Sequence, residues 1–218
     1  MKKLNILGVG KLGECVIDLI LSEKHYDEIS IFDDKKNELK RKNVRFQVSG
    51  TIEDGIKKIV STDEPFIITL GPNFREKSVF IFENLKIINR SPVSIISNKS
   101  SISSSADLGV NSVVFPGAYI GCEVKISHSL VCYSNVSVEH HIKVGHSVYF
   151  APGVKIASGV NIGDMVFVGI GSIITNNIII GESAVIGAGT LVLKNIEKKS
   201  LAYGMPLKNL PLKNDFKL

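Results

Sequence analysis

Residues 150–180 read FAPGVKIASGVNIGDMVFVGIGSIITNNIII. Stepping by six from Phe150 lands on Ile156, Ile162, Val168, Ile174 and Ile180. The same frame extends upstream through Val144, Val138, Cys132, Ile126, Ile120, Val114 and Leu108 to Ile102, and downstream through Ile186 to Val192. All sixteen positions are apolar and fourteen are Ile, Leu or Val. With 44% of the chain hydrophobic, chance fills one fixed frame this way about twice in a million trials. Gly directly follows the apolar residue at 109, 121, 145, 163, 169, 181 and 187. Four residues after it the side chain is mostly small or β-branched, as at Ala106, Ser112, Ala118, Val124, Val154, Val166, Ser172, Ala184 and Thr190.

A period of six matches neither the 3.6-residue turn of a helix nor the two-residue alternation of an ordinary strand. It is the signature of a parallel β-helix, in which each hexad lays down one face of a three-sided prism. The aliphatic residue points inward, and the Gly after it is expected to relieve the corner. Sixteen hexads predict about five coils of eighteen residues.

The chain before residue 100 has another grammar. KLNIL reads as a strand, GVGKLG as a turn and ECVIDLILSEK as a helix with apolar residues at helical spacing. EISIF reads as a second strand ending in Asp33-Asp34, PFIITL as a third closed by Gly71, residues 74–84 as a helix and LKIIN as a fourth strand. Alternating strands and helices predict a small parallel sheet of the doubly wound, Rossmann-like type. SNKSSISSS (97–105) is a polar junction. The expected division is 1–97 for the α/β domain, 98–194 for an all-β prism and 195–218 for a tail.

Composition narrows the function classes. The net charge is +5, with the Lys residues spread along the chain rather than gathered with aromatics, which argues against nucleic acid and suits anionic small ligands. Cys15, Cys122 and Cys132 form neither a CxxC pair nor an even framework, so a reducing, cytoplasmic setting is expected. MKKLNILGVG runs straight into a strand and a glycine turn, unlike a leader peptide. No apolar run reaches the roughly 18 residues of a spanning helix, so no membrane is expected.

Gly8, Gly10 and Gly13 stand in G-x-G-x-x-G spacing between a strand and a helix. Such a turn brings backbone close to phosphate at a helix N-terminus. Asp33 follows Gly13 by 20 residues, the place of a carboxylate that accepts from a ribose hydroxyl. Asn73 and Arg75, after the third strand, are expected beside the same crevice.

The tandem hexads, the run VEHHIKVGHSVYFAPGV and the closing AYGMPLKNL, together with GVGKLG and IFDD in front, resemble the left-handed β-helix acyltransferases. More narrowly, the whole chain resembles the sialic acid O-acetyltransferase family and the related bacterial nucleotide-amino-sugar N-acetyltransferases. The resemblance implies a homotrimer that takes acetyl from acetyl-CoA, with the coenzyme between neighbouring prisms and a nucleotide-linked sugar on the N-terminal domain. No metal is expected, for the reason the histidine spacing gives below. The resemblance places Gly10, Lys11, Leu12, Asp33, Asp34 and Gly71 at the nucleotide sugar. Leu12 stands where relatives often carry a His. N-acetylation of an amino sugar is the leading expectation. O-acetylation of a sialic-acid-like sugar and a non-catalytic nucleotide-sugar-binding trimer are the alternatives.

Three of five histidines fall within residues 136–146. With eighteen residues per coil, His128 and His146 stack on one column, while His140 lies on another face. They cannot converge on one zinc ion within a subunit, since that needs three or four ligands about 2.1 Å from the metal. A general base is the better reading for one, because imidazole titrates near neutral pH. The resemblance selects His140. His141 occupies the place where relatives keep an acid, so either a carboxylate from elsewhere, such as Glu139 or Glu123, orients His140 instead, or the base is weaker or the protein a degenerate relative. Ser158, one coil beyond His140, is the expected source of an oxyanion donor. By resemblance, Tyr149, Ile170 and Ala188 contact the coenzyme. Cys132 is expected in the core and Cys122 stacked below His140.

Overall fold

The computed structural model describes residues 2–41 and 44–213, divided into one compact unit up to Ile95 and a second from Ile96. The first is built on β1 (Lys3–Leu7), whose Leu4, Ile6 and Leu7 are buried, the pattern of a central parallel strand. Next come α1 (Lys11–Glu23), β2 (Glu28–Phe32), β3 (Glu38–Arg41), β4 (Val44–Gly50), α2 (Ile52–Ser61), β5 (Phe66–Ile68) and α3 (Arg75–Ile87). The sheet order is β3-β4-β2-β1-β5, parallel except for the antiparallel edge pair β3–β4.

One local expectation changes. LKIIN is no strand: α3 continues through it to Ile87, because Ser78, Ile81, Phe82 and Leu85 bury one helical stripe. The chain turns only at Asn89, whose φ of 59° is left-handed. The residues between Asp34 and β5 form β3, β4 and α2. Thr51 begins α2 with a capping box: its hydroxyl accepts from Asp54 N at 3.2 Å, while Asp54 Oδ2 accepts from Thr51 N at 2.9 Å. Thr51→Ala is expected to cost about 1 kcal/mol in a urea titration of the N-terminal domain.

In the second unit the six-residue frame becomes three parallel faces. The first stacks Ser101–Ile102, Tyr119–Ile120, Ser137–Val138, Lys155–Ile156, Ile173–Ile174 and Leu191–Val192. The second stacks Asp107–Leu108 through Ile179–Ile180, and the third runs from Ile96 through Val113–Val114 to Val185–Ile186. Partners across each step are eighteen residues apart, as in Ile120↔Val138 and Val138↔Ile156. The framed residues fill the prism: Ile120, Cys132, Val138, Phe150, Val168, Ile174 and Ile186 are all fully buried. Burial pushes the Cys132 thiol up to about 12, so it is an inert core group. Residues beyond 194 do not leave the prism at once. Ser200–Tyr203 pairs with Val185–Ile186 and lengthens the third face.

The corners correct the reading of the glycines. The left-handed residue lies three positions after the inward one, at Asn111, Gly117, Glu123, Ser129, Asn135, His141, Ser147, Gly153, Gly159, Met165, Gly171, Asn177, Ser183 and Gly189. None of the seven glycines that directly follow an inward residue has a positive φ. They are needed for close approach between coils. A Cβ on Gly109 would lie 2.3 Å from Ser127 O, and one on Gly181 2.3 Å from Lys198 N.

Candidate active site

In the N-terminal domain the chain leaves β1 toward β2 on one side and returns as β5 on the other. The crevice at the carboxyl ends of β1 and β5 is therefore the topological switch point, where open α/β sheets take ligands. Gly8 turns at φ +92°, and its carbonyl accepts from Thr69 Oγ1. Gly13 lets α1 pack on the turn, since a Cβ there would sit 2.5 Å from Gly8 O. Gly10 is the N-cap of α1 without a side-chain cap, and a Cβ on it would meet nothing within 4 Å. The same openness holds at Gly71, N-cap of the short 3-10 turn Pro72–Phe74. Open backbone and an uncapped helix N-terminus suit an anion. Lys11 beside them is exposed, whereas Leu12 is buried in the domain core.

Both aspartates have partners in the protein. Asp33 Oδ2 accepts from Val9 N at 2.7 Å, and its Oδ1 from Lys35 N at 2.9 Å and Lys36 N at 3.0 Å. A carboxylate offers about four acceptor positions, so the side chain first ties the glycine turn to the end of β2. Asp34 accepts from Lys77 Nζ at 2.7 Å and from Ile52 N at 3.0 Å. The Lys77 hydrogen bond, then the Ile52 amide, hold its carboxyl below the usual carboxylate range. Asp33→Ala leaves three amides without their acceptor and is expected to destabilise this domain by about 2–3 kcal/mol, read as a shift of its urea midpoint.

In the prism, eighteen-residue stacking makes columns at each corner. Cys122, His140, Ser158 and Asn176 share the corner between the first and second faces. Adjacent coils are about 4.8 Å apart. His140 and Cys122 are exposed. Gly159 N donates to His140 O at 3.2 Å, Ala157 N to Ile174 O at 2.9 Å, and Asn176 Nδ2 to Ser158 Oγ at 2.7 Å. The Ser158 amide takes part in none of the described hydrogen bonds of this corner.

His140 has an unexpected neighbour. Its Nδ1 lies 3.1 Å from Nδ1 of His141, with the rings edge-on at 90°. Glu139 is turned away, its Oε1 accepting from Ser137 Oγ at 2.9 Å. His128 and His146 occupy a different corner, as their phase requires. Their rings stack 5.0 Å apart and 2° from parallel, and His146 Nε2 lies 3.4 Å from Asp164.

Ile170 and Ala188 are exposed and share a third corner, between the third and first faces. A single prism thus brings His140 and Ser158 together and sets Ile170 and Ala188 on another edge. Tyr149 lies on the third face at 4% exposure. Asn176 falls on the same column by the eighteen-residue count. The His140–His141 contact had no signal in the period, because it depends on a backbone angle.

The three stacked faces, preceded in the chain by the α/β domain, form the left-handed β-helix fold. Residues 3–81 match the family described as the PglD N-terminal domain. Among solved structures, the acetyltransferase domain of PglB from Neisseria gonorrhoeae FA1090, in complex with acetyl coenzyme A, is similar at 23% identity. That match has a TM-score of 0.86 and covers 96% of this chain and 99% of that one. PerB from Caulobacter crescentus, in complex with CoA and GDP-perosamine, is similar at 21% identity and TM-score 0.84, over 96% and 97% of the two chains. WeeI from Acinetobacter baumannii AYE matches at 21% identity and TM-score 0.83, over 96% and 100%. Comparison with curated proteins found no match. Among the described residues, no helix is long and apolar enough to cross a membrane.

Proposed function

We propose that the chain is an acetyl-CoA-dependent N-acetyltransferase acting on a nucleotide-linked amino sugar. The observation that carries this reading is the corner column, where an exposed His140 imidazole stands one coil from the uncommitted Ser158 amide. That is a proton acceptor beside an oxyanion donor, the pair that acyl transfer requires. The end-to-end likeness to structures holding acetyl coenzyme A, CoA and GDP-perosamine supports the same chemistry. The open backbone at Gly10 and Gly71, with Lys11 and the Asp33-Asp34 pair beside it, suits the nucleotide.

In this reading the neutral amine of the sugar attacks the thioester carbonyl carbon while His140 takes a proton from the attacking nitrogen. The tetrahedral oxyanion is held by backbone amides near Ser158. It collapses by breaking the carbon–sulfur bond, and the leaving thiolate receives a proton from the imidazolium. Direct transfer needs no covalent intermediate on Cys122 and no metal. Ile170 and Ala188 lie on a different edge from His140, so a groove containing all three takes two prisms, and we read the protein as a homotrimer with its coenzyme sites between subunits. The three free cysteines suit the reducing cytoplasm.

The test is acetyl-CoA turnover, corrected for hydrolysis, against a panel of GDP-, UDP- and dTDP-linked amino sugars with hydroxyl-bearing counterparts. Turnover on at least one amine is expected. Turnover confined to hydroxyl acceptors would move the reading to O-acetylation, and no turnover on any acceptor would overturn it.

A further inference from the structure

We infer that His141 is the positioning residue of His140, setting its tautomer through the contact between the two Nδ1 atoms. This inference rests on the reading of His140 as the general base. The 3.1 Å separation is a hydrogen-bond distance, and only one proton fits between two nitrogens. A neutral imidazole carries one N–H and one lone pair. When His140 Nδ1 donates, its Nε2 keeps a lone pair and accepts the substrate proton. When His141 donates instead, the proton of His140 sits on Nε2 and the ring has no base to offer. The other nitrogen's hydrogen bond thus selects the active form.

The corner explains how His141 reaches this place. It holds the left-handed position of its hexad at φ 57°, and its amide donates to Cys122 O at 3.0 Å. Its backbone is pinned from the coil below while its ring meets His140 edge-on. Unlike a carboxylate, the ring brings no fixed negative charge. The imidazolium formed on His140 is stabilised by hydrogen bonding to a neutral acceptor.

The same corner supplies a test free of folding artefacts. Equivalent positions in other coils include Gly117, Gly153, Gly159, Gly171 and Gly189, and Asn111, Asn135 and Asn177. His141→Gly therefore relieves backbone strain while removing the partner, and His141→Asn keeps a neutral acceptor that tolerates the left-handed conformation. We expect a melting temperature for His141→Gly no lower than that of the natural protein. Its kcat should fall on the order of 10- to 100-fold with KM for acetyl-CoA held within about 2-fold, and His141→Asn should recover most of the loss. Nitrogen-15 NMR of histidine-labelled protein should show His140 protonated at Nδ1 in the natural protein and shifted toward the Nε2–H form in His141→Gly. An unchanged tautomer, or a full kcat in His141→Gly, overturns the inference. His140→Ala run alongside separates the two readings. Full activity in that variant sinks the general base itself, and the tautomer measurement judges His141 even if no acceptor is turned over.

Discussion

His140→Ala is expected to lower kcat on the order of 100- to 10,000-fold, the usual contribution of a positioned general base. The fold should survive, because the side chain is exposed and the prism core is closed without it. What joins His140 to the next coil is its carbonyl, which accepts from Gly159 N at 3.2 Å and is kept in the variant. The melting temperature should therefore move by less than about 2 °C, as for a surface change away from caps and cores. Steady-state rates with saturating acetyl-CoA and the best acceptor give the comparison. A variant that keeps its rate would remove His140 from the chemistry and turn attention to Cys122, next on the same column.

The second large effect concerns stability. Gly109→Ala places a methyl group 2.3 Å from Ser127 O, 2.6 Å from Ser127 C and 2.9 Å from His128 N. All three are backbone atoms of the next coil and cannot swing aside as a side-chain tip would. The cost is expected at about 3 kcal/mol or more, carried by forcing two coils apart. Gly153→Ala is the control. Its Cβ would meet nothing within 4 Å, so only the φ of +73° opposes it, at about 1–2 kcal/mol. Urea unfolding of both variants decides between the two roles. Equal midpoints would mean that coil spacing yields more readily than the backbone contacts imply. Each coil contacts mainly its neighbours, so the damage at Gly109 should begin at the amino-terminal coils.

These two experiments separate what a linear pattern encodes from what it does not. The prism was legible because coils repeat. A strict period turns sequence distance into spatial position, so eighteen residues along the chain is one step up the column. That arithmetic put His146 over His128, confirmed by rings 5.0 Å apart, and set His140 on another corner. It also put Cys132 in the core, where burial raises its thiol. The glycine turn was legible for a related reason: its strand–turn–helix context dictates which Gly bends the chain, which stays open and which admits the helix.

Where the period carried no information, reading failed in identifiable ways. LKIIN has strand-forming residues, but the buried stripe ending in Leu85 holds it in a helix. The hexad glycines looked like corner residues, yet the turns are made two residues later by whatever side chain tolerates the left-handed region. Packing, not residue preference, settled each case.

The sequence by itself determined the prism, its inward residues, its columns and the α/β domain in front, because a period and a glycine spacing are properties of the chain alone. Only the tertiary structure decided which group meets His140. Glu139 is drawn off to Ser137, and His141 is swung beside it by a left-handed corner. That choice lies in a single backbone dihedral, and a repeat that specifies where a corner falls does not specify which way its side chains turn.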